Sequence, residues 1–274
     1  ENDPTPNADA TASEGAIKTL WLLAYNTTNP DNNVIRQLES SGQLTHEYSE
    51  YRIEFKPGTY RIYVVANLDK YIATKISAST EESYLEKLIL NFSPDKLPNT
   101  TDGLPMACLP AQVDGADTDG NITVEAGTTK TIQTDLTFLC AKVRYTILFD
   151  NSEGGFSREA FGSSAVTFNT ASLTGVIPST PLYGSVNASA DAFEVDPIDL
   201  KVINDSKDLN DLADPGFTPS ATGAQRAWQG TMYLPENLLT GARTILHLGA
   251  TLDGNGANLS YLSLIHISEP TRRS

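Results

Sequence analysis

Nucleophilic or acid–base catalysis needs a histidine or an equivalent base held beside a second polar group, and the 274-residue chain carries three histidines, His46, His247 and His266. His46 lies in the polar run Leu44-Thr-His-Glu-Tyr48 and reads as a solvated loop residue. His247 lies inside an apolar run, residues 244–252, and reads as a strand residue that faces solvent or bonds a neighbour. No GxSxG, HExxH, P-loop or GxGxxG pattern is present. No catalytic residue is assigned, and an enzyme is the least favoured reading.

The acidic cluster Asp114-Gly-Ala-Asp-Thr-Asp-Gly-Asn121 resembles part of a calcium loop. With Gly120 at the sixth position, Gly115 and Ala126 fall at the first and twelfth, where such a loop needs carboxylates. The cluster therefore reads as a turn, as does Asp253-Gly-Asn-Gly256, and neither a metal nor a cofactor is expected. Cys108 and Cys140 sit among small or apolar neighbours and read as buried free thiols, with a single disulfide as the alternative in an exported chain. The triplets beginning at Asn26, Asn99, Asn121 and Asn187 match the N-glycosylation pattern, which an Asn- and Thr-rich chain also produces by chance. Trp21 and Trp228 lie in apolar context and read as core residues; were they or tyrosines exposed, they would offer a sugar-stacking platform.

Charge narrows the partners. Nineteen Lys+Arg against 34 Asp+Glu give a net charge of −15, which leaves no excess cation for nucleic acid or for an anionic membrane surface. Apolar runs such as residues 20–25 stop far short of the ~18 residues that a membrane-spanning helix needs. The length fits one large or two ordinary domains. The chain opens on the polar string ENDPTPNADATASEG, without a signal peptide, which reads as a trimmed product or a fragment and does not argue for the cytoplasm.

The elements that must position any site are mostly strands. Residues 1–15 read as a flexible lead, and order begins at Ile17 with the apolar run Ile17-Lys-Thr-Leu-Trp-Leu-Leu-Ala-Tyr25. Tyr51-Arg-Ile-Glu-Phe55, the turn Lys-Pro-Gly-Thr and Tyr60-Arg-Ile-Tyr-Val-Val-Ala66 read as a β-hairpin. Ser79 and Glu82 have capping-box spacing, and Tyr84, Leu85, Leu88, Ile89 and Phe92 predict one amphipathic helix that ends at Pro94. A loop over 98–110 precedes strands at 121–125, 131–139 and 141–149, and Asn151-Ser-Glu-Gly-Gly155 is the candidate domain boundary. Further strands are expected at 165–168, 231–234 and 244–252, with a short helix at 206–212. Many short strands without βαβ alternation predict a mainly β, sandwich-type fold.

The last residues form a separate question. Leu262-Ser-Leu-Ile-His-Ile-Ser-Glu-Pro-Thr-Arg272 resembles the in-frame translation of a sequencing adapter, so residues 262–274 are expected to be a non-native tail and the natural chain to break off near Tyr261. A natural strand at 262–267 is the alternative. Without the tail, 17 basic and 33 acidic groups give a net charge of −16 (19 − 2 and 34 − 1).

The ordered segments together resemble the fimbrillins, subunits of Bacteroidetes surface fimbriae. Residues 17–25 are similar to that family's first strand after the maturation site, Gly58-Thr-Tyr-Arg-Ile-Tyr-Val-Val-Ala-Asn67-Leu68 to its segment ending in Ala-Asn, and Leu104-Pro-Met-Ala107 to the motif before its next hairpin. Leu136-Thr-Phe-Leu-Cys-Ala-Lys-Val-Arg-Tyr-Thr-Ile-Leu148 resembles a strand in which a basic residue usually precedes Ala-Lys, and Tyr233-Leu-Pro-Glu-Asn237 resembles the late Glu-Asn element. The resemblance implies two tandem transthyretin-like β-sandwich domains with one or two short helices, over 16–150 and 151–261, the second incomplete. It implies a non-enzymatic subunit at the extracellular surface or outer membrane. Precursors of this kind travel as lipoproteins with a lipid anchor, and lose a strand to proteolysis. Their mature subunits polymerise with other fimbrial subunits when a neighbour's strand fills an open groove. Ile17, Leu20, Leu22 and Ala24 are the expected groove residues. Host proteins or glycans would be adhesion partners. A glycan-binding surface lipoprotein using Trp228, and a non-polymerising tip or anchor subunit, are the alternatives.

Overall fold

Along the first strand, β1 (Leu20–Asn26), odd and even side chains enter two different apolar clusters, so both faces of the strand are covered. The computed structural model describes residues 13–40, 49–155, 157, 166–182, 193–195, 201–202, 225–235, 244–252 and 258–265. β1 pairs on one side with β2 (Val34–Glu39) and on the other with β3 (Gly58–Ala66), both antiparallel. The sheet continues through β5 (Met106–Cys108) to β7 (Thr137–Phe138), and β6 (Asn121–Val124) adds to the other end of β3, making six strands.

One face of this sheet buries Leu23, Tyr25, Tyr63, Val65 and Ala107 beneath a layer made by Leu68, Tyr71, Ile72, Ile76, the short helix α1 (Glu82–Glu86), β4 (Ile89–Asn91) and Leu182. Tyr25 and Tyr63 meet edge to face there, centroids 5.9 Å apart. The other face buries Leu20, Ala24, Tyr60, Ile62, Val64, Ala66, Met106, Cys108 and Ile122.

β8 (Cys140–Asp150) follows β7 after one residue and changes sheet, pairing over its whole length with β13 (Gln225–Pro235), which also carries β12 (Lys201–Val202). A four-stranded sheet runs β11 (Phe193–Val195), β9 (Val166–Val176), β14 (Thr244–Leu252), β15 (Asn258–Ile265). These two sheets share a core in which Leu173, Val176, Leu246 and Leu248 meet Leu234, with Val143, Ile147 and Met232 at its margin. β10 (Ser179–Pro181) crosses to β4, joining this half to the first by a two-stranded ladder. The fold is mainly β, as the strand patterns predict.

Four expectations meet a different local outcome. The helix stops at Glu86: Leu88, Leu90 and Phe92 are buried while Ile89 and Asn91 are exposed, a period of two, and the β10 ladder claims that backbone. Helical and strand spacing share Leu88 and Phe92, so pattern alone could not separate them. The Ser79 capping box does not form; Glu81 is the N-cap with no side-chain bond, and Glu82 instead reaches Arg61 at 3.0 Å and accepts from the Tyr63 hydroxyl. Leu104-Pro-Met-Ala107, placed in a loop, supplies β5, and the 51–55/60–66 hairpin does not close, because β3 takes β1, β5 and β6 as its partners.

β15 runs through position 262, pairing Leu262 with His247 and Ile265 with Thr244. His46, the 206–212 helix, the turn at 253–256, Asn187 and His266 lie outside the described residues. No helix among the described residues is long and apolar enough to cross a membrane.

Candidate assembly face

The second face of the six-stranded sheet has a buried floor and a half-buried margin. Leu20 and Ala24 lie in the floor at 5% and 0% exposure, and Ile17 and Leu22 pack half-buried against it. All four expected groove residues therefore share one face. β1 is hydrogen-bonded on both sides, to β2 and β3, so it offers side chains to this face and no free edge.

Two segments that read as strands cover the face without joining a ladder. In residues 51–56, Ile53 and Phe55 turn inward while Arg52, Glu54 and Lys56 are exposed. In residues 131–136, Ile132, Thr134 and Leu136 turn inward while Thr131, Gln133 and Asp135 are exposed. Phe55, Ile132 and Leu136 rest on the apolar floor, and the Phe55 ring meets the buried Tyr60 ring edge to face at 5.1 Å. Among the described residues, 49–57 makes no backbone–backbone hydrogen bond. Residues 131–136 make one, which the Gln133 carbonyl accepts from Asp114 N at 3.0 Å. Of the predicted strand at 131–139 only Thr137 and Phe138 enter a ladder, opposite Ala107 and Met106. Two alternating segments thus cover the floor while leaving most of their main chain unused by a ladder. Unpaired edges of this kind are templates for another strand.

At the end of β3, Asn67 adopts a left-handed backbone, φ 58. Its side chain accepts from Lys18 N at 2.7 Å and Thr19 N at 3.2 Å, and donates to Ala16 O at 3.0 Å and Leu104 O at 2.9 Å. The amide packs so tightly on Gly103, itself at φ +85, that a Cβ there would overlap it. The Ala-Asn motif is therefore a clip that fixes the approach to β1. Asn tolerates the left-handed region, and its side chain both donates and accepts.

The remaining sequence candidates have structural roles. Asp117 accepts from Asp119 N and Asn121 N at 2.9 and 2.8 Å, closing the turn before β6, and these bonds hold its carboxyl below the usual carboxylate range. His247 Nε2 pairs with the Thr174 hydroxyl at 2.8 Å. Cys108 and Cys140 are free and buried, and burial pushes the Cys108 thiol up to about 12. Extending the β5–β7 register sets Cys108 opposite Leu136, four residues and about 13 Å along the strand from Cys140, too far for a disulfide. Asn26 is buried, with its amide against Gly58, and leaves no room for a glycan. Trp228 is 4% exposed, which removes the sugar platform proposed for it.

Order also begins before Ile17. Glu14 and Gly15 are already buried, and Glu14 is held by partners more than a hundred residues away that local polarity does not reveal.

The model of the major fimbrial subunit protein (FimA) family matches residues 1–138, ending at the last residue of β7. No curated protein matches the chain. Among solved structures, a candidate cell adhesion protein from Parabacteroides distasonis aligns at TM-score 0.52 and 15% identity, over 93% of this chain and 72% of its own. A candidate adhesin from Bacteroides thetaiotaomicron aligns at 0.49 and 12%, over 92% and 74%. The fimbrial anchor protein Mfa2 from Porphyromonas gingivalis aligns at 0.40 and 13%, again over 92% and 74%. The first of these shares the fold, and the family match covers half of the sequence. The chain belongs to the major fimbrial subunit (FimA) family, and is a non-enzymatic structural protein.

Proposed function

We propose that the chain is a structural subunit of a cell-surface fimbrium that accepts a strand from a neighbouring subunit on the half-covered face of its six-stranded sheet, and so supports adhesion. The observation that carries this reading is the pair of strand-patterned segments, 51–56 and 131–136, that cover the apolar floor without a ladder. A strand laid along either of them gains main-chain hydrogen bonds from the free edge, and alternate side chains reach the floor formed by Leu20, Ala24, Tyr60 and Ile122. Ile17 and Leu22 line its margin. The partners are then other subunits of the same fibre. Export as a lipoprotein, residence at the outer membrane and two transthyretin-like units complete this reading by family analogy.

Assembly of the full-length, matured subunit tests it. Phe55→Asp and Ile132→Asp each place a carboxylate where an incoming side chain must lie. Wild type is expected to give ladders on mildly denaturing gels, and each variant to stay monomeric with a native circular dichroism spectrum. Ladders from both variants would overturn the reading. Matured wild type that never assembles would also overturn it, and would favour a tip or anchor role.

A further inference from the structure

We infer that residues 14–19 form a clasp, closed by the Glu14 carboxylate in a seat on the β8–β13 ladder, that locks the start of β1 to the other half of the molecule. Glu14 is 3% exposed. Its Oε1 lies 2.9 Å from Lys142 Nζ and accepts the hydroxyl proton of Tyr233. Lys142 and Tyr233 are register partners on β8 and β13, so the seat is built on two paired strands and not on a loop. Burying a carboxylate is costly unless a cation and a hydrogen-bond donor meet it, and the seat supplies both. Burial, and then the Glu14 carboxylate, raise the Tyr233 pKa, which keeps its hydroxyl a donor.

The other end of the clasp is the Asn67 clip. Asn67 holds Lys18 N, Thr19 N and Ala16 O through its side chain, and its own N–H donates to Thr19 O at 3.1 Å. Six residues therefore run from the β8–β13 ladder to the six-stranded sheet with hydrogen bonds at both ends. Among the described residues the same halves are also joined by the chain itself at Leu139, by the β4–β10 ladder and by Leu97, which packs on the second core. The clasp differs from these in closing through a charged side chain. Ile17 lies inside it and packs on the half-covered apolar face, so opening the clasp withdraws Ile17 from that face. Closure itself does not depend on that face accepting a strand.

Lys18 provides the readout, because trypsin can cut at Lys18 only when the clasp opens. In the full chain under native conditions, Glu14→Ala is expected to raise cleavage after Lys18, and hydrogen exchange of the Lys18 and Thr19 amides, about ten- to a hundredfold, the effect of losing one hydrogen bond to a charged group. Lys142→Met should reproduce it, and the double variant should add little, because both changes remove one contact. Tyr233→Phe is the milder variant should Glu14→Ala not fold, with the same direction expected. Leu248→Ala, a core change remote from the clasp, controls for general loosening. Cleavage at the wild-type rate in Glu14→Ala and Tyr233→Phe would overturn the inference, as would an equal rise in Leu248→Ala.

Discussion

Leu22 and Leu23 are neighbours on β1 and face two differently built cores. Leu23 is fully buried, beneath α1, β4 and Leu182. Leu22 is half-buried, beneath segments that make almost no backbone–backbone hydrogen bonds among the described residues. Each face carries an edge-to-face aromatic pair. On the first both rings belong to the sheet, Tyr25 and Tyr63, and Tyr25 OH donates to Thr80 O at 2.8 Å. On the second only Tyr60 does, and its partner Phe55 comes from an unpaired segment. One sheet thus has a face capped by elements with ladders of their own and a face whose margin is covered by segments outside any ladder.

The sharpest way to break this contrast is to truncate both leucines. Leu23→Ala should cost about 3–4 kcal/mol, because it opens a cavity in a sealed core, and Leu22→Ala only about 1 kcal/mol, because its margin can relax. Chemical denaturation measures both, and equal costs would mean that the two faces are equally closed. Asn67 sharpens the contrast at the end of the strand. Asn67→Ala should cost about 2–3 kcal/mol, from the lost hydrogen bonds together with a left-handed backbone that alanine disfavours. Asn67→Gly keeps the backbone and loses only the bonds, so thermal melts of the two variants separate the contributions, with glycine about 1 kcal/mol the milder.

The smallest effect belongs to the exposed rim near Tyr71. The Lys70 ammonium, 2.6 Å away, and the Asn99 amide hold the Asp102 carboxyl below its usual range. A lowered pKa in the folded state means that the interaction stabilises above the unfolded value near about 4 and fades as pH falls through the folded value. Asp102→Asn should therefore cost less than about 1 kcal/mol at neutral pH, and nothing in strong acid or high salt. Stability followed against pH in wild type and variant checks the sign.

What could be read from local pattern depended on where each residue's partner lies. Residues 244–252 were legible as a strand because apolar pattern and ladder coincide in β14. The stretch 84–92 was not, since Leu88 and Phe92 fit both periods and a distant strand, β10, decides between them. Residues 51–55 and 131–136 alternate as strands should, yet alternation reports which side is buried and not whether a neighbour completes the hydrogen bonds. The expected groove residues came from the family resemblance and not from alternation, since residues 17–25 read as one apolar run, and Asn67 entered only as the end of a family motif, with no role attached. Glu14 gave no signal, because its partners Lys142 and Tyr233 come from strands brought together by folding.

The order of amino acids by itself determined a mainly β chain with an acidic surface, no catalytic constellation and the family to which it belongs. The first three follow from composition and short-range pattern, which are local properties, and the family follows from the resemblance of a series of motifs in order. Tertiary structure alone decided which strands find partners, which face of the first sheet is sealed, and where the buried carboxylate of Glu14 meets its cation. Each of those depends on contacts between residues far apart in sequence, and the free energy of such a contact exists only once the chain has closed the loop between them.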